Sequence, residues 1–309
     1  MTYERLVLVT RQTELEALVQ RFQTRSQAEF YLTQAGQDFA SIASRHETYQ
    51  LARTAVKAAI PSSLQLQEFD RTRLTQYRFE PADVVVALGQ DGLVANVAKY
   101  LDGQPLLAVN PDPANIDGIL LPVQVESFRA ALARTLTQTA EIRAVTMAEA
   151  KLSDGQQLRA VNDIFVGVRS HTSARYRISD LARSEEQSSS GVIVSTGVGS
   201  TGWLRSVYAG ATGIVRALNP EIAIPAPEPL PWDTDRLVFN VREPWPSLTT
   251  HTALVSGVIP GGKQLELMSR MPAGGVVFGD GMEEDYLEFN AGVTATIGVA
   301  QTRLNLVLR

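Results

Sequence analysis

The chain has 309 residues, 44% of them hydrophobic and 20% charged, a composition that suits a soluble globular protein of two ordinary domains. Its net charge of −5 gives no basis for a nucleic acid or an acidic membrane surface as partner. With no cysteine there is neither a disulfide framework nor a thiolate metal site, and the three histidines (His46, His171, His251) lack ligand spacing, so no metal held by protein side chains is expected. No apolar run approaches the roughly 18–20 residues that span a bilayer, and MTYERLVLVT enters a strand without room for a targeting peptide. A cytoplasmic protein is the expectation.

Arg5 to Thr10 is a short apolar strand, and Glu14 to Phe22 is a helix with Leu15, Leu18, Val19 and Phe22 on one face. Glu29 to Leu32, before Gly36, is ambiguous. Thr48 to Ile60 is helical and stops before Pro61, and Leu64 to Phe69 is a strand. Asp83 to Leu88 is a buried strand, followed by a glycine turn (Gly89 to Leu93) and a helix whose Val94, Val97, Ala98 and Leu101 share a face. Leu106 to Val109 is the next strand, ending at Asn110-Pro111-Asp112-Pro113, and Ser127 to Leu136 is a helix. Strands separated by helices predict an α/β domain over residues 1–135, built on a parallel sheet covered on both faces.

Beyond residue 140 the character changes. Val161 to Val168, Arg175 to Ser179, Gly191 to Ser195, Arg236 to Val241, Gln264 to Met268, Gly275 to Phe278 and Thr294 to Val299 have strand patterns. Turns fall at Ser153-Asp154-Gly155, Pro260-Gly261-Gly262-Lys263 and Gly279-Asp280-Gly281. They predict a mainly antiparallel β domain over residues 136–309, interrupted by a helix from Trp203 to Ala217. The last strand is a candidate to return to the first domain. Asn219 to Asp235 carries five prolines and is an extended surface connection, and Glu185, Glu186 and Ser188 to Ser190 are expected in a solvated loop.

Three segments carry polar groups in places that suit chemistry. Gly89-Gln90-Asp91-Gly92 joins a buried strand to a helix, which sets backbone N–H groups toward a phosphate and Asp91 at the carboxyl edge of a strand. The plain alternative is a turn whose Asp caps the helix. In Arg159 to Gly167, Asn162 and Asp163 interrupt an apolar strand, either as a turn at a strand end or as a pair reading a ligand. Gly191 to Trp203 runs from a buried strand into a loop of glycines and hydroxyls. That loop matches neither a dinucleotide fingerprint nor a Walker motif, and a simple helix-capping loop is the alternative.

In this order and spacing the segments resemble those of the NAD kinases. That family has Gly-Gly-Asp-Gly-Thr after a strand, then Asn-Glu, then Ser-Thr-x-x-Gly-Ser-Thr-Ala-Tyr. Here GQDGL (89–93), ND (162–163) and STGVGSTGW (195–203) stand in those places. LLAVNPDP, RAVNDIFVGVRSHTSARYRIS, SSSGVIVSTGVGSTGW and LVFNVREP look most like the divergent mitochondrial-type branch. The resemblance implies Asp91 as the general base on the adenosine-ribose 2′-hydroxyl of NAD, with ATP as donor and Mg²⁺ bound with it. Gly89 and Gly92 would approach phosphates. Asn110, Asn162, Asp163, Ser195, Thr196, Gly199, Ser200, Thr201, Gly202, Trp203 and Ser206 would contribute to nucleotide binding, and a homodimer or larger assembly is implied.

The pattern also departs from the family. Gln90 replaces a glycine and would be strained at a positive φ. Leu93 replaces a hydroxyl residue, Asp163 is one methylene shorter than Glu, and Ser190 stands where many bacterial members have Asp. The changes at Gln90 and Leu93 bear on phosphate more than on the dinucleotide. They keep two other readings open: an NAD(P)-binding sensor or interaction module with weak catalysis, and a kinase for a sugar or lipid hydroxyl.

Overall fold

The structure is a computed structural model that describes residues 3–180, 182–222, 224–225 and 228–308. It forms two compact units, Met1–Arg143 with Asn305–Arg309, and Ala144–Leu304. The first contains β1 (Arg5–Thr10), α1 (Glu14–Phe22), α2 (Arg25–Gln34), α3 (Phe39–Ala58), β2 (Gln65–Asp70) and β3 (Asp83–Leu88). It continues with α4 (Asp91–Ala98), β4 (Pro105–Asn110), β5 (Val123–Gln124), α5 (Phe128–Leu136) and β6 (Ile142–Val145).

The next strands are β7 (Ala148–Leu152), β8 (Gln157–Ala160), β9 (Asp163–Val168), β10 (Ala174–Ser179), β11 (Ser184–Ser189) and β12 (Val192–Ser195). Helix α6 (Trp203–Leu218) precedes β13 (Arg236–Val241), β14 (Ser256–Pro260), β15 (Gln264–Ser269), β16 (Gly275–Gly279), β17 (Leu287–Glu288) and β18 (Thr294–Val299). The last strand, β19 (Leu304–Val307), joins the first sheet.

That sheet has the order β2-β1-β3-β4-β19-β6, with β5 beside β4. Pairings from β2 through β4 to β19 are parallel. Strands β3 and β4 are buried along their whole length, which explains the apolar runs between Asp83 at the start of β3 and Asn110 at the end of β4. Tyr49 and Val56 of α3 and Phe128 and Leu132 of α5 pack into one cluster with Leu6, Val86 and Val109. Fully burying a residue such as Leu6 or Val86 contributes about 1.5–3 kcal/mol. The α/β expectation holds, with one sheet mixed rather than purely parallel.

The second unit is a sandwich of two antiparallel sheets, β11-β10-β15-β18-β7-β8 and β14-β13-β12-β9-β16-β17. Alternation along β9 shows how it is built. Ile164 and Val166 enter the core between the sheets, while Phe165 joins Ile193, Val276 and Phe278 on the outer face, against Trp203 and Val207 of α6.

Several local expectations change. The ambiguous 29–32 stretch belongs to α2, a helix capped by Thr24 and burying only Ala28 and Leu32, too few to mark a face in the sequence. Helix α3 starts at Phe39 behind an Asp38 cap, well before Thr48. The supposed solvated loop 185–190 is instead strand β11 up to Ser189. Gln187 and Ser189 are buried there on the Tyr176 hydroxyl at 3.0 and 2.7 Å, and Glu186 pairs with Arg177 and Arg270. The segment after α6 has no regular structure before β13 among the described residues, and Ala223, Ala226 and Pro227 lie outside them.

Candidate functional site

In the first unit the candidate groups gather at the carboxyl ends of β1, β3 and β4. The turn after β3 is shorter than predicted: α4 begins at Asp91, and Gln90 is its N-cap residue. Gln90 has φ −110° and ψ 168°, an extended conformation open to any residue, so the strain anticipated there does not arise. Its side chain makes no cap bond and accepts from Arg11 Nη1 at 3.0 Å. Gly89 is buried, and a Cβ there would lie 2.9 Å from Leu93 Cδ2 and 3.4 Å from Arg11 Cδ. Gly92 faces open space. Leu93 is 3% exposed and packs inward against Gly89.

Asp91 does not cap its helix. Its Oδ1 accepts the Leu120 N–H at 2.6 Å, and Oδ2 has no partner among the described residues. The loop that delivers Leu120 is organised by Asn110, which is buried at the end of β4. Its Nδ2 donates to Ile116 O at 2.9 Å and its Oδ1 accepts from Asp112 N at 3.0 Å. A Cβ at Gly118 would strike the Asn110 amide, and Gly118 has φ +63°, so glycine is needed on both counts. Asn110 therefore has its amide spent on the loop that holds Asp91.

In the second unit the chain bends at Val161-Asn162 between β8 and β9, and Asp163 opens β9. The two polar neighbours part company, as adjacent strand residues do. Asp163 is buried and accepts a short hydrogen bond from Ser195 Oγ, its register partner on β12. The Asn162 side chain is half-buried and makes no hydrogen bond among the described residues. Burial pushes the Asp163 carboxyl up to about 7, opposed by the Ser195 hydroxyl and reinforced by the charge of Asp280.

Asp280 is the main residue missed in the sequence. It sits at φ +57° in the turn after β16 and accepts three backbone N–H groups: Val161 at 3.1 Å, Asn162 at 2.7 Å and Asp163 at 3.3 Å. The only sequence signal was its place in the Gly-Asp-Gly turn, which named no partner.

The Ser195–Trp203 loop packs back on this bend. Thr196 donates its hydroxyl to Val161 O, while its N–H donates to Asn162 O at 2.9 Å. Gly199 lies so close to the Asn162 carbonyl and the Asp163 carboxylate that a Cβ would collide with both. Ser200 bridges Gly197 O and Leu230 N at 2.7 and 3.0 Å, and Thr201 and Ser206 bond backwards to Val198 O and Trp203 O. Gly202 precedes α6, and Trp203 stacks on Phe165 with centroids 5.7 Å apart, beneath the Arg242 guanidinium at 5.3 Å. A cavity of about 270 Å³ opens beside them, lined also by Arg169 and Tyr286. Among the described residues no group of three or more His, Asp or Glu gathers that could hold a metal ion.

Two solved structures share the fold over nearly all of this chain. A yeast NADH kinase in complex with NADH is 15% identical, with a TM-score of 0.60 over 100% of this chain and 84% of that one. An NAD kinase from Archaeoglobus fulgidus in complex with ATP is also 15% identical, with a TM-score of 0.56 over 98% of this chain and 93% of that one. No family model and no curated protein matches the sequence. The chain has the fold of the NAD kinases.

Proposed function

We infer that this protein is an NAD kinase that transfers the γ-phosphoryl group of MgATP to the adenosine-ribose 2′-hydroxyl of NAD, giving NADP and ADP. The observation that carries the reading is Asp91, which stands at the carboxyl end of a central parallel strand, on the NAD kinase fold, with one carboxylate oxygen fixed and the other free.

The Leu120 N–H holds the carboxylate by Oδ1, and Oδ2 takes the 2′-hydroxyl proton as that oxygen bonds to the γ-phosphorus. The bond from the γ-phosphorus to the β–γ bridging oxygen breaks, and its electron pair leaves with ADP. Gly89 and Gly92 bring backbone toward the phosphates. The second unit binds the dinucleotide through the free amide of Asn162 and through Gly202 and Trp203 at the start of α6. Asp163, Ser195, Thr196, Gly199 and Ser200 shape that loop from beneath. The match to the mitochondrial-type branch, and a homo-oligomeric assembly, belong to this same reading.

One observation favours a second reading, an NAD(P)-binding module without turnover. Leu93, where the family has a hydroxyl residue, packs inward against Gly89, so that position presents no side-chain hydroxyl to a phosphate. Incubation with ATP, Mg²⁺ and NAD⁺ separates the two. The kinase forms NADP⁺, and Asp91→Asn loses about 10²–10⁴-fold in rate while still binding NAD. Unchanged turnover in Asp91→Asn would sink the base assignment, and NAD binding without any turnover in the wild type would establish the module.

A further inference from the structure

A guanidinium without an acid partner stands beside the Asp91 turn. Arg11 directly follows β1. Its backbone N–H donates to the Tyr49 hydroxyl at 3.2 Å, and that hydroxyl donates to Leu88 O at 3.1 Å, which fixes Arg11 next to the end of β3. Its Nη1 donates to Gln90 Oε1 at 3.0 Å. Its Nε is buried with no hydrogen-bond partner, and Arg11 forms no ion pair among the described residues.

Two nearby cations, Arg53 and Arg45, are neutralised by carboxylates. Arg53 pairs with Glu68 at 2.6 Å and Arg45 with Glu14 at 2.9 Å. Arg11 borders two cavities of the same unit: one of about 640 Å³ reaching Asp70 and Thr72, and one of about 170 Å³ reaching His46, Gln90 and Asp112. Burial lowers the pKa of its guanidinium, Tyr49 opposes that, Arg71 adds to it and Glu14 opposes it least. A buried donor left unmade on a cation is costly, and an anion that accepts from it removes that cost.

We propose that Arg11 anchors the oligophosphate chain of the phosphoryl donor, and that Gln90 is the positioning residue that holds its guanidinium in place. This rests on the kinase reading of the Asp91 turn. It turns Gln90, the side chain that replaces a family glycine, from an obstruction into the support of a phosphate ligand. Nucleoside triphosphates and inorganic polyphosphates share the chemistry that Arg11 recognises.

Calorimetric titration of the whole protein with tripolyphosphate, and separately with MgATP, tests the assignment. Both bind the wild type. Arg11→Gln weakens both by about tenfold or more, as expected for a charge-assisted contact, and Arg11→Lys recovers part of the loss. Gln90→Ala raises KM for the donor about threefold with little change in KM for NAD, a smaller effect because it removes the support and not the contact. Tighter binding of MgATP than of tripolyphosphate identifies a nucleotide donor, and the reverse identifies a polyphosphate. Either supports the anchor.

Wild-type affinity in Arg11→Gln overturns the proposal. So does no binding of either probe to the wild type, or a loss in Arg11→Gln that brings down NAD affinity and the thermal midpoint as well. Failure of the kinase reading has a different signature: Asp91→Asn retains its turnover, or the wild type has none, while the dependence of phosphate binding on Arg11 is unaffected.

Discussion

The two units handle polar side chains in opposite ways. Around the Asp163 bend of the second unit nearly every polar group is answered from within: Asp280 by three N–H groups, Asp163 by Ser195, Thr196 by Val161 and Asn162. At the Asp91 turn of the first unit one carboxylate oxygen of Asp91 and the Nε of Arg11 are left over. A motif rich in polar residues can therefore be framework, whereas the reactive groups are those whose bonding is unfinished. On this contrast, changes in the Asp163–Asp280 framework should read out as stability, and changes at the Asp91 turn as affinity or rate.

The largest stability effect is expected at Asp163 and depends on pH. Its folded pKa of about 7 lies above the 3.8 usual for the group, so the folded state holds a proton that the unfolded state has released over that interval. Stability is then full below about pH 4 and falls as pH rises toward 7, by up to about 4 kcal/mol. Denaturant melts from pH 4 to 8 should show this slope, and Asp163→Asn should flatten it. Equal slopes in both proteins would remove Asp163 from the buried framework.

Next comes Asp280→Ala, which strands three backbone N–H groups and should cost about 3 kcal/mol or more. Asp280→Asn, which keeps one acceptor oxygen, should cost less. A chemical melt that leaves the Ala variant at wild-type stability would erase the contrast between the units.

Gly199→Ala is expected to cost about 1–3 kcal/mol, because the new Cβ meets backbone at Asn162 and must displace it. A thermal midpoint equal to wild type would mean the loop has slack. The smallest change in stability belongs to Asp91→Asn, which keeps the Leu120 hydrogen bond and should stay within about 0.5 kcal/mol while the rate collapses.

Sequence alone located the elements whose burial is continuous or regularly spaced. Strands β1, β3, β13 and β18 and helix α1 begin and end where their apolar runs do. It missed β11, SEEQSS, because that strand owes its existence to pairing with β10 and to a buried hydroxyl network, neither of which leaves an apolar trace. It missed β14, whose Gly257 and Pro260 suit an edge strand and resemble a loop in isolation.

At the candidate site the three motifs were legible as punctuation between strand and helix. The partners that finish or fail to finish them were not. Asp280 lies 118 positions from Asn162 and Gln90 lies 79 from Arg11, distances at which composition and periodicity carry no signal. The same holds at Gln90: strain would need a positive φ, and its backbone is extended instead, with its side chain accepting from Arg11.

The strand β19 has a consequence for biosynthesis. It enters the first sheet beside β4, and Asn305 Nδ2 reaches Gly103 O at 2.8 Å across 202 positions. Every residue of the sandwich leaves the ribosome before the strand that joins β4 to β6 is made. Until then β4 is paired by β5 only at Val109 and Asn110, and its start at Pro105 and Leu106 lacks a neighbour on that side, open to strand addition by a neighbouring nascent chain. Closing so long a loop also slows the final step of folding. The sandwich can complete its own core during synthesis, while the sheet that positions Asp91 waits for β19.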